Sequence, residues 1–150
     1  MSSQTVNFLE LFKEKKYSTI ISIIENKLTE NQRTAGLLNL KGVCRLMKSN
    51  SSESVKLAVD DFRKSYQKEI DKTKLVEPIK NFINASVILF ETEFVKNERF
   101  LDQNFFDEIN NIYQENKNLF ENNLKLLKAI FKVFKRTLDL RNVIKCLEKI

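Results

Sequence analysis

Apolar residues recur along nearly the whole chain at the three- and four-residue spacing of an amphipathic helix. Phe8, Leu9, Leu11 and Phe12 predict a short first helix, and Tyr17, Ile20, Ile21, Ile23, Ile24 and Leu28 a second. Leu37, Leu38, Leu40, Val43, Leu46 and Met47 mark a third. The polar run SNSSES then breaks the pattern and offers a serine N-cap for the next helix. Val55, Ala58, Val59, Phe62 and Tyr66 carry that fourth helix. Pro78 suits a first turn, and the run from Ile79 to Phe94 makes a very apolar fifth helix. Phe105, Phe106, Ile109, Ile112 and Tyr113 predict a sixth, and Leu124, Leu127, Ile130, Phe131, Val133, Phe134 and Leu138 a seventh. Val143, Ile144, Leu147 and Ile150 begin an eighth. The expectation is an all-α chain of about eight helices in four antiparallel pairs, forming a single domain over residues 1–150.

Composition supports this reading. The chain is 42% hydrophobic and 31% charged, which suits a folded domain. Two glycines and one proline leave little turn chemistry for hairpins of strands. One of the glycines, Gly42, lies inside the third helix, where glycine costs about 1 kcal/mol relative to alanine. Close packing against a facing helix would offset that cost, and Ala58 is the expected small residue opposite.

Candidate chemistry is sparse. There is no histidine and no tryptophan, which removes the commonest general base and zinc ligand. The carboxylate groups Asp60-Asp61, Glu91-Glu93 and Asp107-Glu108 are adjacent or nearly so. Neighbouring helical positions diverge, so each group reads as solvated surface rather than an acid–base pair. Cys44 and Cys146 sit in apolar runs and read as buried thiols of a reducing, cytoplasmic setting. No apolar run is long enough to span a membrane, and the N-terminus lacks the pattern of a secretory signal. No cofactor, no metal and no enzymatic activity are expected.

The helix pairs carry a repeated pattern. Leu38-x3-Gly42 is followed by Ala58-x3-Phe62-x2-Ser65, and Leu127-x2-Ile130-Phe131-x2-Phe134 by Val143-x3-Leu147-x2-Ile150. The fifth helix contributes Phe82-x2-Ala85-Ser86-x2-Leu89. These segments resemble the tetratricopeptide repeat of bacterial proteins. Gly42 and Ser86 occupy the family's small-residue position. The last repeat departs from the pattern with Phe131 and Val143 at small positions, and the turns around SNSSES and FVKNERFLDQN are longer than usual. The resemblance implies a right-handed α-solenoid whose concave groove binds an extended or helical peptide.

Carried over residue by residue, that groove would present Asn39, Val43 and Met47 from the second repeat and Asn84 and Val87 from the third. In the last repeat Lys125, Lys128, Lys132 and Lys135 fall three, four and three residues apart, on one helix face, with Arg136 beside them. The net charge of +6 lies entirely in residues 125–150, where eight basic residues face only Asp139 and Glu148. The stripe reads either as a solvated face of a lysine-rich sequence or as a docking surface for an anionic group, and the expected partner is a protein or peptide, acidic where the stripe engages it. Nucleic acid is disfavoured because no aromatics interleave with the lysines. Some family members clamp the acidic tail of a heat-shock chaperone, but Thr5, Leu9, Leu40, Lys80 and Asn84 replace most of that clamp. The apolar pattern running to Ile150 leaves a last helix without a polar cap, which suggests pairing with a second copy or a longer natural chain. The resemblance thus carries an alternative, a substrate-selecting region ahead of a bacterial transferase such as a glycosyltransferase. The Asn- and Lys-rich composition is that of an AT-rich bacterial genome.

Overall fold

The computed structural model describes residues 6–97, 103–136 and 146–150, and side chains within 6–91, 107–135 and 146–150. Among the described residues every regular element is helical. A first short helix, α1 (Phe8–Lys13), is capped by Asn7, whose side chain accepts from the Glu10 N–H. The chain reverses through Lys15 at φ 59°, with the Lys16 N–H donating to the Leu11 carbonyl at 2.9 Å. That left-handed residue and back-bond are the common way to end a helix, usually made by glycine. Helix α2 (Tyr17–Ser22) follows and runs on into a π-helical turn, Ile23–Lys27.

Helices α3 (Ala35–Lys48) and α4 (Ser52–Lys68) form a hairpin. Thr34 caps α3 and Ser51 caps α4, each side-chain oxygen accepting a backbone N–H at 3.2 Å. Ser51 belongs to the SNSSES run, so the serine cap expected there is present. The two helices meet in antiparallel register. Ser65 near the end of α4 donates to the Ala35 carbonyl at the start of α3, and Asp61 reaches Arg45 in the last turn of α3.

Gly42 is buried at this crossing. A Cβ built on it would lie 2.5 Å from Cε1 and 2.8 Å from Cδ1 of Phe62, a fully buried ring. The expected partner was Ala58. The atoms nearest to the missing Cβ belong instead to Phe62, the aromatic residue of the same motif on α4. The glycine makes room for an aromatic ring, which contributes more buried area than a small facing residue could.

Helix α5 (Val76–Asn97) packs on α4. Tyr66 and Phe82 stack edge to face at 5.3 Å, and the Arg63 guanidinium lies over the Phe82 ring. From there Arg63 reaches α6 (Gln103–Glu115), forking onto Glu108 at 2.7 and 2.9 Å. The Tyr66 hydroxyl donates to the same carboxylate. Burial and the Glu108 charge both push the Tyr66 phenol upward. Glu108 is thus a half-buried acceptor tying α4 to α6, not the solvated side chain expected from sequence.

A short α7 (Lys117–Glu121) buries Phe120 against Tyr113. Asn123 then caps α8 (Leu124–Arg136) by accepting from the Leu126 N–H. α8 packs on α5, α6 and α7. Leu126, Leu127, Ala129, Ile130, Val133 and Phe134 fill its buried face. Residues 146–149 are helical. The rest of the expected eighth helix falls outside the described residues.

The core has two parts. Ile20, Ile21, Ile24 and Cys44 form a small cluster under α1 and α2. A larger one runs from Val55 and Phe62 through Phe82 and Ile83 to Phe120, Leu127 and Phe134. Cys44 and Cys146 are both buried, and neither forms a disulfide. Burial pushes the Cys44 thiol up to about 11, so little of it is thiolate at neutral pH.

A partly buried ionic network joins α3, α4 and the π-helical turn. Asp61, 3% exposed, pairs with Lys41 at 3.1 Å and Arg45 at 2.7 Å. Glu25, in the π-helical turn, joins Arg45 and lies 3.8 Å from Lys41. Burial pushes the Asp61 carboxyl up, and the two cations pull against that shift. Asp61 had been expected in solvent. It sits one helical turn after Ala58 and one before Ser65, on the buried face of α4.

Candidate functional site

The seat of α8 on α5 decides which of the groove residues come together. The apolar stripe of α8 faces the core, so its lysines at 125, 128, 132 and 135 all lie on the exposed side. Where that side meets α5, an open cleft of about 620 Å³ is lined by Asn84, Val87, Ile88, Glu91, Lys132 and Lys135. Helical spacing explains the set. Asn84, Val87, Ile88 and Glu91 are three, four and seven residues apart, one stripe along α5, and Lys132 and Lys135 are one turn apart on α8.

The cleft has an apolar floor and charged walls. Val87 is buried and Ile88 is 42% exposed. Lys132 and Lys135 line the cleft from α8, and Glu91 lines it from α5. A ligand suited to these walls brings an apolar side chain for Val87 and Ile88 and carboxylates for the lysines.

Four of the ten residues named from the sequence therefore share one cleft: Asn84, Val87, Lys132 and Lys135. Lys125 and Lys128 are exposed earlier on the same face of α8 but do not line the cleft. Arg136 ends α8, and its side chain lies outside those described. The residues on α3 are placed elsewhere. Asn39 is half-buried and accepts a hydrogen bond from the Asn81 amide at 3.0 Å. It lines a separate concavity of about 390 Å³ with Thr34, Gly36, Lys74 and Pro78. Val43 packs against the larger core cluster, while Met47, 56% exposed, lies in the last turn of α3.

Ile88 and Glu91 were missed by the sequence reading. The signal was present, because they continue the Asn84–Val87 stripe by one turn. Among the described residues, no group of three His, Cys, Asp or Glu side chains could hold a metal ion. Likewise, no described helix is long and apolar enough to cross a membrane. Compared with family models, curated proteins and solved structures, the chain finds no match among any of them.

Proposed function

We propose that this protein is a stack of α-hairpins, of tetratricopeptide-like solenoid form, that docks an acidic peptide or protein segment in the α5–α8 cleft without catalysing a reaction. Two contacts of equal span support the stacking. Asn81 of α5 donates to Asn39 of α3 across 42 positions, and Tyr66 of α4 donates to Glu108 of α6 across 42 as well. A common offset is what results when one hairpin is laid on its predecessor in the same register. The offset is longer than the roughly 34 residues of a tetratricopeptide repeat, in keeping with the lengthened turns. The likeness to that family therefore lies in helix packing more than in repeat length.

The observation that carries the docking proposal is the pairing of Val87 and Ile88 with Lys132 and Lys135 in one open cleft. Like charges one turn apart on a helix repel, and an acidic ligand would relieve that repulsion. A non-catalytic role is favoured by the carboxylates themselves. Asp61, which is buried, and Glu108, which is half-buried, are held by Arg45 and Arg63. The proposed setting is cytoplasmic, in keeping with two buried cysteines that form no disulfide.

The test is binding of a peptide selected from an Asp- and Glu-rich library, followed by fluorescence anisotropy. Lys132→Glu with Lys135→Glu is expected to weaken binding by at least about tenfold, roughly 1.4 kcal/mol, and to flatten its dependence on salt. Equal affinity of the variant and the parent at low salt would reject the proposal.

A further inference from the structure

A further concavity shares no residue with the cleft. It measures about 340 Å³ and is lined by Arg33, Leu38, Lys41, Lys64, Gln67 and Lys68, with Glu30 its one acid. Its four cations come from three segments: Arg33 from the turn before α3, Lys41 from α3, and Lys64 and Lys68 from α4.

The partners of these cations divide them into two kinds. Lys41 is paired with Asp61, and Lys64 with Asp60, each at 3.1 Å. Arg33 and Lys68 are held by neutral groups. Arg33 Nε donates to the Ile24 carbonyl at 2.8 Å and Nη2 to the Glu25 carbonyl at 2.6 Å. Lys68 Nζ donates to the carbonyls of Glu30 and Arg33. Among the described residues neither has a carboxylate within ion-pair distance. A carbonyl orients a cation without neutralising it, so both charges are fixed in place and uncompensated. Arg33 Nη1 has no partner among the described groups, and the Gln67 amide offers a further donor. Lys41, 7% exposed, forms a wall where the dielectric is low and electrostatic attraction is stronger than in open water.

We infer that this concavity binds a phosphoryl group, carried by a small molecule. A phosphoryl group presents close to two negative charges and three strong acceptor oxygens. Donors from three segments suit a tetrahedral oxyanion better than a planar carboxylate, and Arg33 Nη1 is left to donate to one of its oxygens. The concavity, about 340 Å³, is larger than a bare ion needs. Leu38 supplies an apolar wall for the organic remainder.

Nuclear magnetic resonance titration of the whole chain with inorganic phosphate tests this, with chloride holding the ionic strength constant. Saturable shifts at Arg33, Lys41 and Lys68 are expected at millimolar phosphate, and smaller ones with acetate. Lys64→Gln with Lys68→Gln should weaken binding about tenfold, the loss of one charged hydrogen bond or more. Lys128→Gln, on the far α8 face, should leave it unchanged. Lys68 also ties down two carbonyls, so Lys64→Glu alone, a reversal at an exposed position, provides a second variant with the same expected weakening. Absence of saturable shifts would overturn the inference, as would shifts confined to the α8 lysines. Undiminished binding by Lys64→Glu would overturn it too.

Discussion

Asp61→Ala is expected to destabilise the fold by about 3–5 kcal/mol, towards the lower figure because Glu25 remains beside the stranded cations. The carboxylate is 3% exposed and neutralises two charges at once, Lys41 at 3.1 Å and Arg45 at 2.7 Å. Truncation leaves both cations in a poorly hydrated space, and the cost is that of unpaired buried charge rather than of one lost hydrogen bond. The same reasoning predicts a contrast. Desolvating a buried ion pair offsets most of its attraction, in keeping with the upward push of burial on the Asp61 carboxyl, so the intact pair is expected to contribute little net stability. Lys41→Met with Asp61→Leu, which removes the buried pair, nearly keeps the number of side-chain heavy atoms and leaves Arg45 its partner Glu25, should therefore cost less than Asp61→Ala. Urea unfolding monitored by circular dichroism measures both. Equal destabilisation by the single and double variants would mean that the site matters for packing and not for charge.

Gly42→Ala provides the second large effect, and its sign is informative. On helix propensity alone the substitution should stabilise by about 1 kcal/mol. The added Cβ would lie 2.5 Å from the Phe62 ring, and overpacking of a filled core costs about 1–3 kcal/mol. The ring is fully buried, with no open side to move into, so the clash is expected to win. Phe62→Leu should partly rescue Gly42→Ala in the double variant, because it removes the ring atoms that meet the new methyl. Stabilisation by Gly42→Ala would show that α3 and α4 separate with ease at this crossing.

These two sites also show how far the sequence can be read. The helices were legible because their apolar stripes are long and regular, as in α8, where six buried residues alternate with four lysines. The short α7 was not predicted, since five residues give too little periodicity to separate it from the turns around it. Asp61 reads as solvated from its neighbour Asp60, an ordinary half-exposed acid, because adjacency alone does not separate the two faces of a helix. The stronger signal lay in the register. Lys41 falls three residues from both Leu38 and Cys44, inside the apolar stripe of α3, and a charge placed there needs a partner of opposite sign. Gly42 announced a close approach, but the identity of the approaching group depended on the offset between two helices, which one helix's pattern does not contain.

The cleft was half legible for the same reason. The stripe on α5 and the lysines on α8 each follow from helical spacing. That they meet depends on α8 packing against α5. The same packing leaves Asn39, Val43 and Met47 of α3 away from the lysines, although a groove drawn from the repeat pattern alone joins them. The basic concavity at Arg33 and Lys68 was invisible from the sequence, because its defining feature is that backbone carbonyls, rather than carboxylates, hold the cations.

The central claim is that the α5–α8 cleft is a docking surface. Resonance mapping of the acidic peptide on the intact protein tests it most directly. The largest shifts are predicted at Asn84, Val87, Ile88, Glu91, Lys132 and Lys135, with Asn39 and Val43 little changed. Shifts concentrated on α3, or spread evenly over every exposed lysine, would contradict the claim.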